Sequence, residues 1–145
     1  MSTIHDPAYR TALETRLRAL KTDSPRQWGS MNPSQMLHHV NVALAVSAGE
    51  LTLPDEKPPL PRGLMKFVVL RLPWPKGAPT SPAFMATGHY DFESERVRCL
   101  ELIDKVAALP ADGSIKHPMF GNMSGAETNR LQAKHLNHHL KQFGV

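Results

Sequence analysis

Apolar residues recur at helical spacing along four stretches of the chain, three of them opened by a cap and all closed by a stop or turn signal. In the first, Asp6 caps and Pro7 takes the first helical position. Ala8, Ala12, Leu13, Leu17 and Leu20 follow at helical intervals, predicting an end near Thr22, before Asp23-Ser24-Pro25. In the second, Asn32 caps, Pro33 follows, and Gln35 completes a capping-box pattern that opens residues 36–48, with Gly49 as the stop. Residues 91–109 read as a third helix closed by Pro110, its spacing traced by Val97, Leu100, Ile103, Asp104 and Ala107. The fourth starts on the capping box Ser124-Gly125-Ala126-Glu127 and runs through Leu131, Leu136 and Leu140 to Phe143, with Gly144 as its stop. No stretch shows sustained period-two alternation or an Asn-Gly hairpin turn, so little or no sheet is expected. The expected fold is all-α, a four-helix bundle with one long connection between the second and third helices.

Composition places the irregularity. Eight of the 13 prolines fall between positions 54 and 82. The same region, from Lys57 to Pro82, holds five basic residues (Lys57, Arg62, Lys66, Arg71 and Lys76) and no acid, against a net charge of +4 for the whole chain. The remainder is therefore near neutral, which weighs against reading the high isoelectric point as a nucleic-acid surface, since that needs Lys and Arg spread along a face. One short helix over residues 64–72 is expected inside the connection. Phe67, Trp74 and the Val68-Val69-Leu70 run predict that it packs onto something, and its apolar, basic character also fits a second subunit or a membrane surface. At 145 residues and 16.1 kDa the chain is expected to form one domain, residues 1–145. Its longest apolar stretch, residues 63–72, is interrupted by Lys66 and Arg71 and falls far short of the roughly 20 residues a bilayer requires. The N-terminal residues have no signal-peptide pattern. A single cysteine, Cys99, makes no intramolecular disulfide, and a cytoplasmic setting is expected.

The histidines carry the candidate chemistry. Five of the eight lie in two predicted helices: His38 and His39 in the second, His135, His138 and His139 in the fourth. At about 100° per residue, His135 and His139 differ by about 40° and lie a turn apart on one face, the spacing that lets two imidazoles reach one ion. Measured from the stripe of Leu131, Leu136, Leu140 and Phe143, His139 lies roughly 50° away, His135 about 90° and His138 about 150°, so His138 is expected to face solvent. In the second helix His39 sits about 105° from the core side, between Met36, Ala43 and Val46, while His38 is nearly opposite the core with Asn41. His39, His135 and His139 are thus the candidate metal ligands. Three protein ligands with an open position match catalytic divalent-metal sites, and imidazole suits zinc, nickel, copper or iron.

The tail HxxHHxxQFG, residues 135–144, with HPxFG at 117–121, resembles the DinB superfamily, also called the DinB/YfiT-like metalloenzymes, and more narrowly its branch of unknown function. Trp28-Gly29 followed by Met31-Asn32-Pro33-Ser34-Gln35-Met36-Leu37-His38-His39 is similar to that branch as well, as are Asp91-Phe92 and the Pro-Lys-Gly-Ala-Pro-Thr stretch. The resemblance implies a DinB-like four-helix bundle, often a homodimer, with one metal ion on a histidine of the second helix and two, four apart, in the fourth. By position these are again His39, His135 and His139. Characterised members of the superfamily include thiol-dependent S-transferases and a maleylpyruvate isomerase, in which the metal activates a low-molecular-weight thiol; the branch itself mostly has no assigned reaction, and the resemblance favours a thiol-dependent S-transferase with a metal-activated thiolate or water, its partner a small thiol or electrophile. The alternative is a non-catalytic stress-response or binding module with a structural or vestigial metal site.

Other residues take supporting parts. Gln142, three after His139, is placed to hydrogen-bond a ligating imidazole or to face solvent. His117 is expected to make a structural hydrogen bond in its loop, and His5 and His89 to lie at the surface. Cys99 reads as a small buried apolar residue rather than a nucleophile. Trp28 reads as a loop anchor that could wall a pocket. No general base stands out, since there is no HExxH pattern and Glu93, Glu95, Glu101 and Asp104 show no distinctive arrangement.

Overall fold

The computed structural model describes residues 2–145 and is mostly helical, with one two-stranded sheet. Helix α1 (Pro7–Ala19) starts where Asp6 accepts a hydrogen bond from the Ala8 amide at 3.0 Å. It ends before Thr22, because Leu20 turns into extended backbone to bury its side chain while Ser24 closes a turn on Lys21. Helix α2 (Pro33–Ser47) has the full capping box: Asn32 accepts from the Gln35 amide at 2.8 Å and the Gln35 side chain accepts from the Asn32 amide at 3.0 Å. The connection forms α3 (Arg62–Arg71) and a 3₁₀ turn at Pro82–Phe84. Helix α4 (Phe92–Ala107) starts on Asp91, and α5 (Gly125–Gln142) on the reciprocal Ser124–Glu127 box.

Sheet is confined, as expected of a mostly helical chain, to one antiparallel hairpin that the pattern did not mark, β1 (Ser114–His117) with β2 (Gly121–Ser124), in register Ser114↔Ser124 through His117↔Gly121. Each strand has four residues, too few for alternation to stand out. The turn is held by His117, whose Nδ1 accepts from the Met119 and Phe120 amides at 3.1 and 3.3 Å, the structural role expected of it. Gly125 joins the hairpin to α5 by close approach: a Cβ there would sit 1.8 Å from the Pro110 carbonyl oxygen.

The core lies among α1, α2, α4 and α5. It is built from Leu13 and Leu17, from Met36, Leu37, Val40 and Leu44, from Cys99, Leu102, Ile103 and Val106, and from Ala133, Leu136 and Leu140. Helices α1 and α2 each pack on both α4 and α5. The stripe read on the third helix needs correction: Val97 is 54% exposed and Asp104 exposed, while Cys99, Leu102 and Val106 face inward beside Ile103. The buried face lies about 100° round the helix from that stripe, because Cys99, Leu102 and Val106 meet the core where the pattern placed Val97, Asp104 and Ala107.

The proline-rich connection is anchored. Met65, Val69, Leu70 and Trp74 pack against Phe120, Met123 and Leu131, although Phe67 points out and is 56% exposed. The last carbonyls of α3 have partners: Trp74 Nε1 and Lys134 Nζ donate to Val69 at 2.8 and 2.7 Å, and Lys134 also donates to Leu72. The Arg62 guanidinium ties the start of α3 to the hairpin loop through the Pro118 and Met119 carbonyls at 3.0 and 2.9 Å. No helix among the described residues is long and apolar enough to cross a membrane.

Candidate metal centre

Helices α2 and α5 bring His39, His135 and His139 together. Their Nε2 atoms form a triangle with sides of 2.9, 3.1 and 3.1 Å. His39 and His139 are buried, at 4% and 7% exposure, and His135 is half-buried, so the cluster opens on its side. Among the described residues no further His, Cys, Asp or Glu ligand atom joins the group.

What lies behind each ring decides where its proton sits. His39 Nδ1 is 2.6 Å from the Phe84 carbonyl oxygen, which only accepts, so Nδ1 carries the hydrogen and Nε2 is bare. Gln142 does the same for His139. Its Nε2 donates to the Trp28 carbonyl at 2.9 Å, which turns Oε1 toward His139 Nδ1 at 2.8 Å and makes that nitrogen the donor. Two lone pairs therefore face each other 3.1 Å apart, with His135 Nε2 beside both. Such a convergence is unfavourable without a cation and favourable around one. Imidazole nitrogens about 2.0–2.1 Å from a shared ion lie about 2.8–3.0 Å apart at right angles and about 3.3–3.4 Å apart in a tetrahedron, so the triangle is close to the size that a metal needs. Three buried or half-buried histidines are thus positioned to hold one ion, on second-sphere hydrogen bonds of the usual kind.

Electrostatics agree. Burial lowers the pKa of all three ligands, that of His135 well below the ordinary histidine range and that of His139 to about 3, with the neighbouring imidazoles adding to the effect. The rings are neutral at neutral pH, the state in which they can donate to a metal.

The other expectations divide. Gln142 takes the inward reading, 4% exposed and bonded to His139. Trp28-Gly29 acquires a reason: Gly29 has φ +80°, and a Cβ there would lie 2.5 Å from Gln142 Nε2, so glycine lets the amide reach Trp28. His138 does not face solvent. It is half-buried between the Trp28 and Trp74 rings, each 5.5 Å away, because the loop before α2 and the connection wall that edge of the fold. His38 points away from the cluster, onto α4, where Nδ1 lies 3.0 Å from a Glu95 carboxylate oxygen and the ring stacks on Tyr90 at 3.9 Å. Glu95, with no evident role in the sequence, also accepts from Asn41 at 2.7 Å. His5 is half-buried, with Nε2 2.8 Å from the Leu109 carbonyl, whereas His89 is exposed. Cys99 is buried, and burial pushes its thiol pKa far up, which leaves it unreactive.

Fold and site together define a mostly helical protein with a buried three-histidine centre positioned for a metal ion. The chain belongs to the family described as "Protein of unknown function (DUF1569)", whose family model matches residues 7–144. Neither the curated proteins nor the solved structures include a significant match.

Proposed function

We propose that this protein is a DinB-like four-helix-bundle metalloenzyme, with His39, His135 and His139 as ligands of a divalent ion, zinc, nickel or iron. The reaction we favour is thiol-dependent S-transfer. The bundle reading is supported by the way α1 and α2 each lean on both α4 and α5. The observation that carries the functional reading is the triangle of Nε2 atoms without a fourth protein ligand among the described residues, since catalytic sites keep a position open and structural ones close it.

A bound divalent ion would supply Lewis acidity, lowering the pKa of a thiol or water at its open position. The chain's residues supply the rest. Phe84 and Gln142 hold the protons of His39 and His139 on Nδ1 and keep the Nε2 atoms available. Core packing from α2 and α5 excludes water from two of the three rings. The half-buried face of His135, beside Trp74 at 5.9 Å, is the side from which a substrate would approach. A homodimer and a cytoplasmic setting belong to the same proposal. The first is supported by Leu60, Leu64, Phe67 and Leu72, exposed on and beside α3, and the second by a lone unpaired cysteine.

The test is turnover. Untagged, metal-loaded protein is offered glutathione, bacillithiol or mycothiol with electrophilic acceptors. Thiol consumption that disappears in His39→Ala supports the reading. Stable metal binding without turnover for any of the thiols would favour a non-catalytic binding module instead.

A further inference from the structure

The chain has two tryptophans, and both stand against the same histidine beside the metal centre. Trp28 and Trp74 each lie 5.5 Å from His138, and Trp74 lies 5.9 Å from His135, the least buried of the three candidate ligands. Neither indole is held there by chance. The Trp28 backbone is fixed by Gln142, which also holds His139, and the Trp74 ring is fixed by its bond to the Val69 carbonyl. Over the Trp28 ring, 5.2 Å from its centroid, sits the ammonium of Lys76, an exposed residue of the connection. Lys134 lies 5.4 Å over Trp74 but is spent on the Val69 and Leu72 carbonyls. Among the described residues neither of these lysines is paired with a carboxylate.

Two indoles packed about His138, the half-buried candidate ligand His135 against one of them and an unpaired ammonium over the other describe a recognition surface for an anion with an apolar or planar body. We propose that Trp28, Trp74 and Lys76 select the substrate of this centre, and that it carries a carboxylate near the group that reaches the metal. The inference rests on the metal reading above. His138 fills the gap between the indoles, so the ligand body would rest against the Trp74 side of the cluster, next to His135, and Lys76 would attract the carboxylate. Lys76 is the specificity-determining residue of the lip, acting through charge and leaving the ligands untouched.

The test uses the full chain loaded with Co(II) and two small thiols that differ in charge, mercaptoacetate and mercaptoacetamide. Binding is read from sulfur-to-cobalt charge-transfer absorption and from quenching of the two tryptophans. The wild type is expected to prefer mercaptoacetate. Across a wet surface at low salt one unit charge is worth about a three-fold change in affinity, so Lys76→Gln should cut that preference roughly three-fold and Lys76→Glu roughly ten-fold. Co(II) content should be unchanged in both variants. Lys57→Glu, an exposed lysine before α3, makes the same change in net charge and should leave the preference in place. An equal preference in the wild type and Lys76→Glu, with Co(II) bound to both, would overturn the proposal. Failure of the metal reading is seen separately, as no Co(II) uptake by the wild type.

Discussion

Gln142 links two parts of the site that are far apart in sequence. Its amide orients His139 from behind and holds the backbone of Trp28, and Gly29 leaves the space that this needs. Removing such second-sphere partners typically weakens metal binding 10- to 100-fold. Gln142→Leu is therefore expected to lower metal affinity by about that factor while the helices persist, measured by competition with a chromophoric chelator alongside circular dichroism. At this scale much was legible. The i, i+4 pair and the helix-face angles marked out His39, His135 and His139, and the spacing after His139 marked Gln142. The Phe84 carbonyl was not legible, because a backbone acceptor has no residue identity, and neither was Glu95, whose pairing with His38 depends on how α2 meets α4.

Local signals wrote the helices. Caps at Asp6, Asn32 and Ser124 act through bonds within three residues, so they appear in the sequence as they do in the structure. The hairpin escaped notice because its turn is stabilised by an imidazole rather than by Asn-Gly. That imidazole makes the element sensitive to acid. Burial lowers the His117 pKa from the ordinary 6.5 to about 4, so between those values the unfolded chain binds a proton that the folded chain does not. Stability is fully present above about pH 6.5 and falls as pH drops toward 4, by up to about 3 kcal/mol from this residue. Neutral His39, His135 and His139 push the same way. Urea midpoints at pH 7 and pH 4.5 should therefore differ more in the wild type than in His117→Asn, which keeps an acceptor for the turn; equal differences would remove His117 from the account.

For the whole molecule, the proline-rich connection is the part the pattern of apolar positions described least. It carries the 3₁₀ turn that supplies the Phe84 carbonyl, the Trp74 wall and Lys76, so it builds one side of the site rather than merely joining two helices. His138 was misjudged for the same reason: face angles on one helix do not see a wall contributed by loops. The outer face of α3 remains uncovered within the chain, with Leu64 and Phe67 about half exposed. If a second copy covers it, sedimentation should show a dimer for the wild type and a monomer for Phe67→Glu, and a monomeric wild type would contradict the dimer.

The central claim is that three imidazoles from two helices hold one ion. It is tested most directly by elemental analysis of protein purified without a histidine tag, wild type beside His139→Ala. The account predicts about one divalent ion per wild-type chain, and loss of most of it in the variant with helical content retained. Equal metal content in the two proteins would contradict it.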